Sequence, residues 1–334
     1  MESCFPRRKA PSINDLIPLW PAVKIRPNTF LPLRFRRRTD YTLCCVTAVA
    51  ALLPLSGTAA ESASPGAASG LAHVALRMTD TEKALAFYRD FLGLPERFRT
   101  NKVPGQPNVY YRRDGSPADL AKQKQGELML VDLRVGADQS LELFAGRSEG
   151  QPVLHHPALT TPDLAATRQR LAPPDAAVPP SARNDNGPLK SFFTRDPGGT
   201  EIEITGPREG PPAVPSTVSE LGARLESIVY PCAAEPALVS RFFSGGLGMA
   251  VTTASGGITA TATNGDRLEV KTDGNTPPTL VFAVTDLEAA RQFLESRPNR
   301  ASYEGAVGIR EADGHAFIEL LAPDDVRIHI AQQP

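Results

Sequence analysis

The sequence predicts an α+β protein made of four related blocks of strands and helix, arranged as two domains. A strand-like alternation followed by a helical repeat recurs four times, and a Pro- and Gly-rich segment separates the second block from the third. A chain of 334 residues also suits two domains, each with a core of its own. We divide it into a lead of residues 1–70, a first domain of 71–205, a linker of 206–220 and a second domain of 221–334.

The first block sets the pattern that the others repeat. Residues 71–78 alternate as a strand does, and residues 79–82 have the spacing of a helix capping box. Apolar residues then recur every three or four positions up to Gly93, where a left-handed residue suits the end of a helix. The strand-like segment 140–144 closes the block.

The second block has a strand at 153–159 and a helix that is predicted to begin with Thr161 as N-cap and Pro162 in its first turn. It closes with a Pro-Gly turn and an alternating strand over residues 196–204. Two such blocks make one domain.

The last two blocks repeat the order in the second domain. The third has strands at 225–230 and 267–270 around a helix at about 235–244. In the fourth, the strand 279–284 leads into a capping box, and the segment 313–320 is predicted to be the closing strand.

The lead resembles an export signal. Residues 34–38 are basic apart from one Phe, the run from Thr42 to Leu55 is apolar, and small residues follow at 57–60. The run is about fourteen residues long, whereas a membrane-spanning helix needs about 20. We expect a cleaved signal and a periplasmic or secreted protein, with a retained anchor as the alternative.

Charge and cysteine content limit the partners. The sequence has 36 Lys and Arg residues and 37 Asp and Glu residues, so it has no excess of positive charge with which to attract nucleic acid. Apart from the export signal, we expect no association with a membrane either. Small molecules are the expected partners. Only Cys232 lies outside the lead, so a metal ion would need His and carboxylate ligands.

Three strings carry a family resemblance: His-Val-Ala-Leu at 73–76, Ala-Leu-Ala-Phe-Tyr-Arg-Asp-Phe-Leu-Gly-Leu at 84–94, and Asp-Pro-Gly-Gly-Thr-Glu-Ile-Glu-Ile at 196–204. They resemble the opening and closing signatures of the vicinal-oxygen-chelate superfamily, which includes glyoxalases, bleomycin resistance proteins and extradiol dioxygenases. The resemblance covers roughly residues 71–331. It implies that each block is a βαβββ module and that two modules pair into a glyoxalase-like half-barrel. It specifies the fold more closely than the reaction.

In such a module alternate strand residues face the concave cavity, and the others face the core. Each block of the first domain then contributes one His from its first strand and one Glu from its last. Four ligand candidates face the cavity: His73, Glu142, His156 and Glu203. Two imidazoles and two carboxylates suit a divalent ion such as Zn, Ni, Fe, Mn or Co.

The resemblance gives this set two interpretations. The order His, Glu, His, Glu is similar to the ligand set of glyoxalase I, whereas His73, His156 and Glu203 alone match the triad of extradiol dioxygenases. His155 is the alternative to His156, but seven residues separate His156 from Asp163, as they separate His73 from Asp80. Glu201 is expected beside the site rather than in it. The alternative is that all are structural and the cavity is metal-free.

The second domain departs from this pattern, and we expect no metal there. Ser227 and Thr279 replace the two histidines, while Glu269 and Glu319 are predicted at the carboxylate positions. His315 is expected in a turn and His329 at the surface near the C-terminus.

We therefore expect a metal-dependent lyase, isomerase or oxygenase that acts on a small molecule with vicinal oxygens. In the glyoxalase-like case Glu142 or Glu203 is the catalytic base. A dioxygenase needs a further His or Tyr near the metal, for which Tyr110 and Tyr111 are the candidates.

The alternative function is metal-free binding or sequestration of a small molecule, as in resistance proteins. Arg77, Arg112 and Arg113 are candidates for holding an anionic group, although arginines at such positions are often simply solvated. The oligomeric state is left open.

Overall fold

A computed structural model describes residues 66–102, 109–112, 126–172, 181–182, 190–207, 219–254, 256–303, 305–312 and 314–333. The predicted export signal, linker residues 208–218 and Arg113 lie outside the described residues, and 109–112 are described as backbone only. Residues 66–69, which the sequence-based division assigned to the lead, pack within the folded unit. Ala67 and Ala68 are buried, and the Ala68 N–H donates to the Leu247 carbonyl at 2.8 Å.

The described residues of the first domain form one sheet of nine strands. Its order is β3-β2-β4-β5-β1-β6-β9-β8-β7. The first strands of the two modules, β1 and β6, pair antiparallel in the middle, and each last strand, β5 or β9, runs parallel beside its own first strand. The strands are β1 (Gly70–Met78), β2 (Glu96–Lys102), β3 (Val109–Arg112), β4 (Glu127–Arg134), β5 (Ser140–Ala145), β6 (Leu154–Thr160), β7 (Ser181–Ala182), β8 (Ser191–Arg195) and β9 (Glu201–Thr205).

The second domain repeats this plan in a sheet of eight described strands, in the order β11-β12-β13-β10-β14-β17-β16-β15. Its first strands β10 and β14 pair antiparallel, and β13 and β17 run parallel beside them. The strands are β10 (Arg224–Pro231), β11 (Ala250–Ala254), β12 (Gly257–Thr261), β13 (Arg267–Lys271), β14 (Thr279–Val284), β15 (Ile309–Ala312), β16 (His315–Leu321) and β17 (Arg327–Gln332). The predicted α+β class and four-module plan are confirmed.

Each module has a short helix after its first strand. Two of the helices continue into π-helical turns, at Ala86–Phe91 and Phe242–Gly246, and 3₁₀ turns lie at Pro298–Ser302 and Pro323–Asp325. Among the described helices, none has the length and apolar character that crossing a membrane requires. The α-helices are α1 (Thr81–Leu85), α2 (Leu164–Leu171), α3 (Pro236–Arg241) and α4 (Leu287–Ser296).

An aspartate caps three of these helices. The side chains of Asp80, Asp163 and Asp286 each accept the backbone N–H three residues further on. The structure thus corrects the second N-cap, which is Asp163 and not Thr161. The Thr161 hydroxyl instead bonds to that of Thr167 at 2.8 Å, inside the protein.

The core lies between the convex sheet faces and the helices. The residues predicted to face it are at most 1% exposed, namely Val74, Leu76, Leu141, Leu143, Leu159, Ile202 and Ile204. The alternation of each strand therefore leaves the intervening polar residues on the concave face.

Gln139 and Asp266 are among the side chains that join the domains. The Gln139 amide donates to the Leu225 carbonyl at 2.7 Å and accepts the Leu225 N–H at 2.8 Å. The buried Asp266 carboxylate accepts the Leu71 N–H at 2.9 Å and pairs with Arg224. Because charges and backbone groups are satisfied across this contact, it fixes the first strand of each domain against the other.

The predicted closing strand of the fourth module is wrong. The segment predicted to close it is β16, the third strand, and the chain turns at Pro323–Asp325 into β17. Both strands alternate, so the sequence pattern alone did not show which is last. The parallel pairing of Val281 with His329 places His329, rather than Glu319, at the carboxylate position of this module.

Candidate metal centre

The strand pairing brings the four predicted ligands together on the concave face of the first sheet. His73 lies on β1 and His156 on β6, the two central strands. Their parallel neighbours carry the carboxylates: Glu142 is paired with the residue two positions after His73, and Glu203 with the residue two positions after His156. Because the two modules have the same strand arrangement, each contributes one imidazole and one carboxylate to the site.

Three of the four form a tight group. The Nε2 atoms of His73 and His156 are 3.2 Å apart, and Glu203 Oε2 lies 3.1 Å from the first and 3.4 Å from the second. All three residues are buried, with exposed fractions of 7%, 2% and 8%. Two imidazole nitrogens and a carboxylate oxygen within 4.8 Å of one another are suited to hold one metal ion.

Glu142 stands at the edge of this group. Its Oε2 atom is 3.8 Å from His73 Nε2, and its side chain is 16% exposed. Burial raises the pKa of the Glu142 carboxyl to about 7, although the neighbouring His73 opposes this shift. The structure therefore places Glu142 near the group without making it part of the closest trio.

The trio has a charge distribution that favours a cation. Burial disfavours the charged imidazole of His73, but the Glu142 and Glu203 carboxylates outweigh this effect and raise its pKa to about 9. Burial lowers the pKa of His156. Burial also disfavours the Glu203 carboxylate, but hydrogen bonds from both histidines dominate and hold its pKa well below the usual range. Glu203 is therefore an anion that requires a positive neighbour.

An ion pair behind Glu142 was missed by the sequence analysis. Asp132 on β4 is fully buried, is paired with Glu142 across the sheet, and accepts two hydrogen bonds from Arg97, at 2.7 and 2.6 Å. The available signal was a single carboxylate within the otherwise apolar run Leu130–Leu133. The Asp132 carboxylate adds to the effect of burial in raising the pKa of Glu142.

A β-bulge explains the position of His155. The register between β1 and β6 shifts after Ala75, and this places His155 beside His156, with their Nδ1 atoms 2.6 Å apart. His155 stacks on Phe144 at 4.7 Å and lies 4.0 Å from Glu201. The structure thus places His156, not His155, with His73, and His155 with Glu201 beside the trio.

The equivalent positions of the second domain hold different chemistry. Ser227 donates to Glu269 at 3.2 Å, and His329 Nε2 is 3.2 Å from Glu319. Thr279 occupies the second histidine position and is buried, and His315 is exposed at the start of β16. Among the residues that the structure describes, clusters of potential metal ligands occur in the first domain alone.

Comparison with known families identifies the first domain. Residues 70–204 match the model of the glyoxalase/bleomycin resistance protein/dioxygenase superfamily. These residues belong to that superfamily. The match contains both modules of the first sheet and all four candidate ligands. Among curated proteins, none matches this chain in sequence.

Solved structures share the fold over about four-fifths of this chain. The 2,3-dioxygenase LapB from Pseudomonas sp. KL28 is 12% identical with a TM-score of 0.57, over 80% of this chain and 93% of that one. The Mn(II)-bound glyoxalase from Novosphingobium aromaticivorans is 14% identical with a TM-score of 0.56, over 80% and 82%. An extradiol ring-cleaving dioxygenase from B. fuscum is 16% identical with a TM-score of 0.54, over 81% and 74%. At these identities the likeness establishes the fold alone.

Proposed function

We propose that this protein is a divalent-metal-dependent enzyme that acts on a small molecule with two neighbouring oxygens. One observation carries the proposal. The Nε2 atoms of His73 and His156 and the Oε2 atom of Glu203 all lie within 3.4 Å of one another. A superfamily domain with two imidazoles and a carboxylate buried on its concave face is well suited to bind a transition metal.

In this proposal His73, His156 and Glu203 hold the metal, which when bound supplies Lewis-acid polarisation of the substrate oxygens. Glu142 lies outside the trio, and its carboxylate accepts a proton from the substrate. The Asp132 carboxylate, which is paired with Arg97, lies beside Glu142 in the sheet and favours its protonation. The phenyl rings of Phe144 and Phe193 lie edge-on to the His156 imidazole and give it apolar neighbours.

The reaction class is a lyase, isomerase or oxygenase step. Dioxygenases and a glyoxalase among the structural neighbours support this range. Metal-free binding or sequestration of a small molecule is the second candidate, because bleomycin resistance proteins share the superfamily. It predicts a cavity that takes up no metal.

Export is a separate part of the proposal, supported by the basic residues at 34–38 and the apolar run from Thr42 to Leu55. Mass spectrometry of the protein recovered from the periplasm of a bacterial host tests it. We expect the mature chain to begin near residue 61, and an uncleaved chain in the cytoplasm would contradict the prediction.

Elemental analysis of the chain from residue 61, purified without chelators, tests metal binding. We expect about one transition metal ion per chain, lost in the double variant His73→Ala/His156→Ala. The control is His315→Ala/His329→Ala, which removes two histidines from the second domain and is expected to keep the metal.

The metal-loaded protein is then screened with 2-oxoaldehydes, catechols and α-hydroxy acids. A wild-type protein that contains no metal and takes up no added Zn²⁺, Ni²⁺ or Fe²⁺ would contradict the enzyme proposal and favour the binding protein.

A further inference from the structure

A cleft of about 330 Å³ opens between the two domains, next to the candidate metal centre. Arg77, His155, Arg195 and Glu201 line it from the first domain, and Tyr230 and Pro231 from the second. Its size is at the lower end of the range for small-molecule sites. The metal-ligand trio itself does not line it, so the cleft is an adjoining compartment.

A single side chain, that of His155, separates the cleft from the trio. His155 lines the cleft, and its Nδ1 atom is 2.6 Å from Nδ1 of His156, whose other ring nitrogen faces His73. Glu201 and Glu203 lie two residues apart on the same face of β9, about 7 Å along the strand. A small molecule is therefore long enough to contact both places at once.

Two arginines give the cleft its charge. Arg77 is partly buried and Arg195 exposed, and neither guanidinium forms a hydrogen bond or salt bridge with a described residue. Glu201 acts electrostatically on Arg77 and is paired with Arg195 across the sheet. Among the residues that line the cleft, two guanidinium groups face a single carboxylate, which leaves one positive charge uncompensated.

We propose that this cleft binds the carboxylate of the substrate, with Arg77 and Arg195 as its partners. The inference rests on the proposed function, since it makes the substrate an anionic small molecule that extends from the metal centre into the cleft. The planar guanidinium matches a carboxylate with two parallel hydrogen bonds. Pro152, Leu154 and Pro231 supply apolar walls for the carbon skeleton.

The charge of the cleft favours a carboxylate over a phosphate ester. One carboxylate carries a single negative charge, which equals the excess of Arg77 and Arg195 over Glu201. A phosphate monoester carries up to two and would leave a net negative charge beside Glu201.

The first experiment measures binding of benzoate to chelator-treated protein by calorimetry, so that the cleft is tested without the metal. We expect binding that weakens about 10- to 100-fold in Arg77→Met and in Arg195→Met, because each loses a charge-assisted contact while the aliphatic bulk is kept. The matched control is Arg241→Met, an exposed arginine on α3 outside the cleft, with unchanged affinity. Phenyl phosphate is expected to bind more weakly than benzoate.

The second experiment compares catechol with 3,4-dihydroxybenzoate on the metal-loaded protein. We expect the carboxylated probe to bind at least about tenfold more tightly, and both cleft variants to lose this preference while they retain the metal. Equal affinity for the two probes, or a preference that survives both variants, would overturn the proposed cleft site.

The two proposals fail separately. A wild type without metal that binds benzoate through Arg77 and Arg195 would refute the metal enzyme and leave the anion site standing. A metal-loaded protein that does not bind benzoate, and that binds catechol and 3,4-dihydroxybenzoate equally well, would refute the anion site alone. Tighter binding of phenyl phosphate than of benzoate would overturn the assignment to a carboxylate.

Discussion

His73 Nε2 and His156 Nε2 are 3.2 Å apart although 83 positions separate the two residues in the chain. Their approach follows from the antiparallel pairing of β1 with β6, the first strands of two modules. Two buried imidazoles that face each other beside a carboxylate share either a proton or a metal ion. The competition between the proton and the metal gives the first prediction.

Metal affinity is expected to rise with pH. Burial disfavours a charged His73, but the Glu142 and Glu203 carboxylates raise its pKa to about 9, so a metal displaces a proton from it at neutral pH. Affinity for Zn²⁺ is expected to increase up to about tenfold per pH unit below that value. Titration against a chromophoric chelator at about pH 6, 7 and 8 measures this. An affinity that stays constant across the series would show that His73 is not a ligand.

The stability of the metal-free protein is expected to depend on Glu142. Burial raises its pKa from 4.5 to about 7, so the folded state binds this proton more tightly than the unfolded chain does. The stabilisation is complete below about pH 4.5 and is lost as the pH rises through about 7. Relative to Glu142→Gln, the wild type is therefore expected to lose free energy of unfolding over this interval.

Urea denaturation in the presence of chelator measures that difference. The control is Glu269→Gln, at the equivalent position of the second domain. A wild type that gains stability relative to Glu142→Gln over the same pH interval would contradict the prediction.

Replacing Asp266 by Ala is expected to destabilise the protein by about 2–4 kcal/mol. The carboxylate is fully buried, and its loss leaves the Leu71 N–H and the Arg224 guanidinium without this acceptor. Denaturant unfolding measures the effect. Asp138→Ala, at an exposed position, is the control and is expected to stay within about 0.5 kcal/mol of wild type. Equal effects of the two substitutions would refute the role of Asp266.

Helix α4 is expected to lose about 1 kcal/mol of stability when Asp286 is replaced by Ala. The Asp286 side chain accepts the Ala289 N–H at 2.9 Å, and Ala offers no acceptor. Asp286→Asn keeps an acceptor and is expected to lie within a few tenths of a kcal/mol of wild type. Thermal unfolding of the two variants separates them, and an Asn variant as unstable as the Ala variant would point to charge rather than capping.

The sequence predicted correctly those features that follow from the periodicity of a single strand or helix. Alternation along one strand assigns a face to every residue, so the predicted inward position of His73 and the predicted core position of Val74 follow from a period of two. The family resemblance added the pairing of modules. Together they predicted that Glu142 and Glu203 would lie on the same concave face as the histidines.

The remaining features depend on contacts between distant strands. The Asp132–Arg97 pair needs the register of β4 against β5 and β2, and the position of His155 needs a bulge in the β1–β6 pairing. The identity of the last strand, which moved the carboxylate position from Glu319 to His329, needed the parallel pairing with β14. None of these is encoded in the alternation of a single segment.

The reciprocal hydrogen bonds between Gln139 and the Leu225 backbone bear on how the protein selects its ligand. Because these bonds hold the first strand of the second domain against the first domain, we infer that they keep the two walls of the proposed cleft at a set separation. The cleft would then limit the length of the molecules that it binds. Substitutions at Pro231, on the far wall, are therefore a direct route to a different range of ligand sizes, with the residues around His73 left untouched.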